Sequence, residues 1–165
     1  MGKIICTFAP YNELEKLYYN HNKPVSVKVC YIRHLFNLER DIGSRYSPAE
    51  YLGNLKDLQF EYDYVVIRVC QTTLRLLCRS NLDFYINISE KYLENIMTST
   101  YDLYQYGSII DRKRYCDEIR QLVRAYKKKS NIKIRHESSV EECINNLEKR
   151  KFWKRNKIKL QMENK

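Results

Sequence analysis

One segment near the end of the chain combines two aromatic rings with a dense cluster of positive charge. Phe152 and Trp153 stand among six basic residues, which are Lys149, Arg150, Lys151, Lys154, Arg155 and Lys157. Lysine and arginine attract phosphates, and unstacked bases can lie on aromatic rings, where stacking contributes about 1 to 3 kcal/mol per base. The combination is typical of binding to single-stranded or structured RNA. We therefore predict that these eight residues contact nucleic acid.

The same segment is compatible with three other interpretations. A nuclear-localisation patch needs only the charge. A helix lying on an anionic membrane would dip Trp153 and Phe152 into the headgroup boundary. The rings could also pack back on the body of the protein. Gly2 stands where N-myristoylation occurs, but that pattern requires Ser or Thr at position 6, where this chain has Cys6, so we expect a membrane partner less than RNA.

A second basic set lies on the helix that we predict from Asp111 to Lys129. Tyr115, Ile119, Leu122 and Tyr126 recur at helical spacing and form its apolar face. The opposite face and the end of the helix are cationic, and we predict that they line a surface facing phosphates. The residues of this second set are Lys113, Arg120, Arg124, Lys127, Lys128 and Lys129.

Charge is distributed unevenly along the chain. Residues 111–165 contain 18 Lys and Arg against 8 Asp and Glu, whereas residues 1–110 contain 12 of each sign. The whole net charge of +10 therefore belongs to the final third. Such an asymmetry favours a polyanionic partner.

No motif for catalysis, for a metal or for a cofactor occurs in the sequence. His21, His34 and His136 stand alone, and the four glycines form neither a P-loop nor a dinucleotide fingerprint. None of the six cysteines forms a C-x-x-C pair, which favours buried reduced thiols. We therefore predict a protein that is not an enzyme and needs no cofactor. Because no signal peptide precedes the body, we expect an intracellular location, cytoplasmic or nuclear.

Local patterns predict several strands and helices. Lys3 to Phe8 and Val25 to Tyr31 have the composition of strands, and a helix is expected from Arg33 to Asp41. Ser47, Pro48 and Glu50 form a capping sequence that starts another helix. From Tyr62 to Leu77 apolar residues recur every three or four positions, which favours a core helix, although Val65 to Val69 would also suit a buried strand.

Further helices and strands are expected toward the end of the chain. Asp83 to Ile88 is expected to be a short extended piece, Asn131 to Glu137 is expected to be an edge strand or a linker, and Ser89 offers a helix start. Ser139 with Glu142 forms a capping box for a last helix. That helix would dock through Val140, Cys143, Ile144 and Leu147 and leave the body near Leu147.

The low content of glycine and proline guides the predicted fold class. With 4 Gly and 3 Pro in 165 residues, sharp turns are rare and long β meanders become improbable. We predict an α+β protein that is predominantly helical, in which a small short-stranded sheet is possible. A compact body would span residues 1–137 and contain the core, and a basic helix and tail would span residues 138–165.

The function predicted from these patterns is noncatalytic. We expect an RNA-binding or ribonucleoprotein-associated protein, with the ribosome as one candidate particle, that contacts phosphates through its basic final third. The alternatives are a helical protein-interaction module of a virus or parasite, which docks through the neutral, tyrosine-rich body, and a basic protein on a membrane surface.

Overall fold

Strands and helices alternate along the chain. The computed structural model describes residues 1–19, 24–30, 48–69, 71–98 and 109–163. The strands are β1 (Lys3–Thr7), β2 (Val27–Cys30), β3 (Tyr64–Arg68), β4 (Phe84–Asn87) and β5 (Ile132–Arg135). The helices are α1 (Tyr11–Tyr19), α2 (Pro48–Glu61), α3 (Gln71–Arg79), α4 (Glu90–Thr98), α5 (Ile109–Tyr126) and α6 (Val140–Glu163).

The five described strands form one sheet in the order β2-β3-β1-β4-β5, and every pairing is parallel. β1 lies at the centre, where Ile4 and Ile5 pair with Val65 and Val66 of β3. All strands end at the same edge of the sheet because they are parallel. We call this edge the carboxyl edge and the opposite one the amino edge.

The predicted fold class is wrong. The protein has an α/β fold in which the described strands form a five-stranded parallel sheet, not a predominantly helical fold with a small sheet. The scarcity of glycine argues against tight hairpins, but parallel strands need none, since helices connect them across the sheet. The glycine count therefore excluded meanders without excluding this sheet.

β3 shows why the strands were hard to recognise. The predicted core helix from Tyr62 to Leu77 is in fact the strand Tyr64–Arg68 followed by α3. Every residue of β3 is buried, since helices cover both faces of the sheet. Strands of this kind are continuous apolar runs without alternation, and periodicity does not separate them from a buried helix.

Other local predictions are confirmed. The predicted strands at Lys3, Val25, Asp83 and Asn131 correspond to β1, β2, β4 and β5. Half of the predicted capping box of α6 is formed, because the Glu142 amide donates to Ser139 Oγ at 3.1 Å, whereas the Glu142 carboxylate accepts from the Ser138 hydroxyl at 2.7 Å. The predicted helix from Arg33 to Asp41 and the cap residue Ser47 lie outside the described residues.

The helices form two layers. Helices α3 and α4 contact α5, whereas α1 contacts α6. The connection from β1 to β2 runs along the sheet toward the end formed by β2. The connections from β2 to β3, from β3 to β4 and from β4 to β5 run in the opposite direction, toward the end formed by β5. Because such crossovers are almost always right-handed, α1 covers one face and α2 to α5 cover the opposite face.

Helix α6 crosses the face that α1 covers, running from the carboxyl edge toward the amino edge. Its first amide, that of Val140, donates to Glu13 in the first turn of α1. Two turns later, Glu148 accepts a hydrogen bond from Tyr64, the first residue of β3. The predicted docking residues Val140, Cys143, Ile144 and Leu147 are all fully buried. The expectation that the core lies before residue 137 is therefore wrong, since α6 contributes to it.

Candidate nucleic-acid interface

The second part of α6, which we call the distal half and which spans residues 149–163, extends beyond the body. The helix has 24 residues, about 36 Å at 1.5 Å per residue, and five residues of strand span only about 17 Å. A helix that starts at the carboxyl edge thus passes the amino edge near Lys151. Beyond it, Phe152 is 64% exposed and Trp153 is 72% exposed. The two predicted rings are accessible to a partner.

Positive charge surrounds the distal half on all sides. Residues 149 to 162 contain seven Lys or Arg and no Asp or Glu. At about 100° per residue, these positions are spread around the helix. Pairs at helical spacing, such as Arg150 with Lys154 and Arg155 with Lys159, repel each other by a few tenths of a kcal/mol. An anionic partner would relieve this repulsion.

Lys151 marks the point where the helix leaves the sheet. Its ammonium lies 3.4 Å from Glu148 Oε1 and 5.6 Å from the centre of the Tyr64 ring. The Tyr64 hydroxyl donates to the same carboxylate. Burial, followed by the hydrogen bond to Glu148, raises the pKa of Tyr64, so the phenol stays protonated and remains the donor. Of the basic residues predicted on α6, Lys151 is thus partly engaged within the chain.

The other predicted residues of α6 lie on the surface. The exposed ones are Lys149, Arg150, Phe152, Trp153, Lys154, Arg155 and Lys157. The structure thus brings the whole α6 set together on one helix.

The second predicted basic set lies on the other side of the sheet. Because α5 packs with α3 and α4, its cations and those of α6 belong to opposite layers. Lys113, Arg124, Lys127 and Lys128 are exposed. The basic set of α5 itself extends over about 21 Å along the helix axis, from Lys113 to Lys127. The two predicted sets therefore do not form one continuous surface.

Two members of the second set have structural roles. Arg120 pairs with Glu90 of α4 at 3.0 Å and with Asp117 at 3.2 Å. Lys129 donates to the carbonyl oxygens of Cys78 and Ser80 at 2.6 and 3.4 Å, which satisfies acceptors at the end of α3. Both cations are thus engaged in contacts within the chain.

The carboxyl edge holds a crevice between β1 and β4. The connections leaving these adjacent strands run in opposite directions, the arrangement that marks ligand sites in doubly wound sheets. Among the described residues, side chains of the protein itself meet at this point. Thr7 Oγ1 donates to Asn87 Oδ1 at 3.0 Å, and both residues are fully buried. Glu13 Oε1 accepts from the Tyr92 hydroxyl at 2.6 Å and from the Val140 amide at 3.2 Å.

Three residues on the sheet face that α6 crosses were not predicted from the sequence. Lys3, at the start of β1, and Lys133 of β5 hold their ammonium groups 5.7 and 5.9 Å from the centre of the Tyr85 ring of β4. No pattern in the sequence links these residues, since they are 48 to 130 positions apart. The strand order alone makes them neighbours.

The described cysteines are buried and protonated. Burial raises the pKa of the Cys78 thiol to about 11 and that of Cys143 to about 12, so neither is a thiolate at neutral pH. Within residues 1–19, 24–30, 48–69, 71–98 and 109–163, no group of three His, Cys, Asp or Glu side chains is arranged to hold a metal ion.

Gly2 has a steric role in the body. A Cβ atom at this position would lie 1.9 Å from the carbonyl oxygen of Tyr62. Its amide donates to Gln59 O at 2.7 Å, and its carbonyl accepts from Gln59 Nε2 at 2.8 Å. Packing thus explains the glycine at position 2, and N-myristoylation is not needed to explain it. In the part of the chain that the structure describes, no helix combines the length and the apolar character that membrane crossing requires.

Comparison with known proteins gave no match to a family model, to a curated protein or to a solved structure.

Proposed function

We propose that the protein is a noncatalytic RNA-binding protein of a ribonucleoprotein particle and that the distal half of α6 is its main contact surface. The observation that carries the proposal is the exposure of Phe152 and Trp153 within a helix half that carries seven cations and no carboxylate before Glu163. Phosphates bind the cations, and unpaired bases stack on the rings.

The arrangement of the apolar residues disfavours a membrane partner. The exposed apolar side chains of the distal half include Phe152, Trp153, Ile158 and Met162. At about 100° per residue, Ile158 and Met162 point away from Trp153, on the far side of the helix. An interfacial helix needs a single apolar face to enter the headgroup boundary. Apolar side chains on separate sides, with cations between them, suit a ligand that wraps around the helix.

The contacts between side chains at the carboxyl edge support a noncatalytic role. In doubly wound proteins, ligands bind outside the carboxyl ends of the strands at this point. Glu13 places a negative charge there, next to the first amide of α6, where an anionic ligand would otherwise be attracted. The crevice therefore contributes stability, and the binding capacity lies on the basic helix.

Replacing one ring tests the proposal directly. Trp153→Ala should weaken binding of single-stranded RNA about tenfold, since the loss of one stacked base removes about 1 to 3 kcal/mol. Phe60→Ala is the matched control, because Phe60 is 76% exposed on α2 and lies outside the proposed surface. Fluorescence anisotropy with labelled RNA gives both affinities. Equal affinities for the two variants would reject stacking and leave a patch that acts through charge alone.

A purification from cells separates this proposal from docking to a protein through the tyrosine-rich body. The tagged chain is recovered from parallel lysates that are untreated, treated with ribonuclease or treated with deoxyribonuclease. The proposal predicts partners that are lost after treatment with ribonuclease and retained after treatment with deoxyribonuclease. A protein partner that survives both nucleases would favour the interaction module instead.

A further inference from the structure

Lysine and tyrosine side chains alternate across four strands of the sheet. Lys151 of α6 lies over Tyr64 of β3, at 5.6 Å from the ring centre. Tyr64 pairs in register with Lys3 of β1. Lys3 and Lys133 then lie on either side of Tyr85 in β4, at 5.7 and 5.9 Å. We call this series of five residues the lysine–tyrosine row.

All members of the row share the face that α6 crosses. Side chains alternate between the two faces of a strand, so Lys3 points to the same side as Ile5, two residues on. Ile5 pairs with Tyr85, and Tyr85 pairs with Lys133. The row therefore leads from the base of the distal half of α6 to the outer strand β5.

Accessibility increases toward the outer end of the row. Tyr64 is fully buried beneath Lys151, whereas Tyr85 and Lys3 are half-buried and Lys133 is exposed. Three carboxylates lie nearby. Glu148 is already engaged with Tyr64 and Lys151, Asp63 precedes β3 and accepts from Ser26, and exposed Asp83 precedes β4. Lys3 and Lys133 have contacts with the Tyr85 ring but no ion pair among the described residues.

This outer end offers two features that an unpaired nucleotide can use. Lysine side chains are flexible, and cation–π contacts near 6 Å are weak at exposed sites. A phosphate can therefore draw an ammonium away and leave the Tyr85 ring open to a base. In a duplex the bases are already stacked on each other and are not accessible in this way.

We propose that Tyr85, with Lys3 and Lys133, is a second contact site for the same RNA strand that binds the distal half of α6, and that the strand is unpaired. This inference rests on the proposed function. The row is continuous with the helix through Lys151, since about three strand spacings of 4.8 Å separate β5 from β3. One strand can thus follow a single path from the sheet onto the helix.

The experiment compares unpaired and paired RNA on the full chain. The probes are an oligouridine of about 15 nucleotides, within the range of single-strand sites, and its duplex with oligoadenosine. We expect the single strand to bind at least tenfold more tightly than the duplex. Tyr85→Leu should weaken single-strand binding about tenfold and leave duplex binding unchanged. Tyr85→Phe, which keeps the ring, should bind like the natural chain.

Tyr126→Leu serves as the control, because Tyr126 is a half-buried tyrosine of α5 in the opposite helix layer. Its single-strand affinity should equal that of the natural chain. If the natural chain binds the single strand but Tyr85→Leu binds it equally well, or if the duplex binds as tightly, the second site is refuted and the proposed function stands. If the natural chain binds neither probe, the proposed function itself fails.

Discussion

Glu13 ties three helices together through one carboxylate. Its Oε1 atom accepts a hydrogen bond from Tyr92 of α4 and one from the first amide of α6. Burial, with the hydrogen bond to Glu13, raises the pKa of Tyr92, so its hydroxyl remains a donor. Because Tyr92 is almost fully buried, loss of the acceptor would leave its hydroxyl without a partner.

Glu13→Ala should therefore lower the free energy of unfolding by about 1 to 3 kcal/mol. Urea denaturation measures this change, and Glu15→Ala, at an exposed position of the same helix, should stay within about 0.5 kcal/mol of the natural chain. In a double-mutant cycle with Tyr92→Phe, the combined loss should be smaller than the sum of the single losses. Additive losses would mean that the two side chains do not stabilise each other.

At the level of single elements, local sequence patterns predicted several helices and strands correctly, whereas the predicted fold class was wrong. The capping box at Ser139 and the docking stripe from Val140 to Leu147 could be recognised because both depend on residues three or four positions apart. The β3 strand could not be recognised, because a strand buried on both faces lacks the alternation of apolar and polar residues. The lysine–tyrosine row was inaccessible for another reason, since it depends on strand order, which no local pattern encodes.

Two truncations test how α6 is divided. A chain that ends at Lys151 retains the buried residues Val140 to Leu147 and should keep the melting temperature of the full chain within a few degrees. A chain that ends at Ser139 exposes that core surface and should not fold, since loss of each large buried side chain costs about 2 to 5 kcal/mol. Circular dichroism during heating measures both. A folded chain without residues 140–165 would show that α6 is dispensable for the core.

At the scale of the whole molecule, the sheet separates the two basic surfaces. The sequence alone predicts one basic region in the final third, but α5 and α6 lie in different layers. Arg120 and Lys129 of the α5 set are engaged within the protein, whereas most cations of the distal half of α6 are exposed. The proposed interface therefore narrows to α6 and the sheet face beneath it.

The salt dependence of RNA binding tests this account most directly. If the seven cations of the distal half each contact one phosphate of a single strand, the logarithm of the association constant should fall against the logarithm of salt concentration with a slope of about −5. The chain that ends at Lys151 keeps three of these cations and should give a slope of about −2. A slope near zero for the full chain, or an equal slope for both chains, would contradict RNA binding through the distal half of α6.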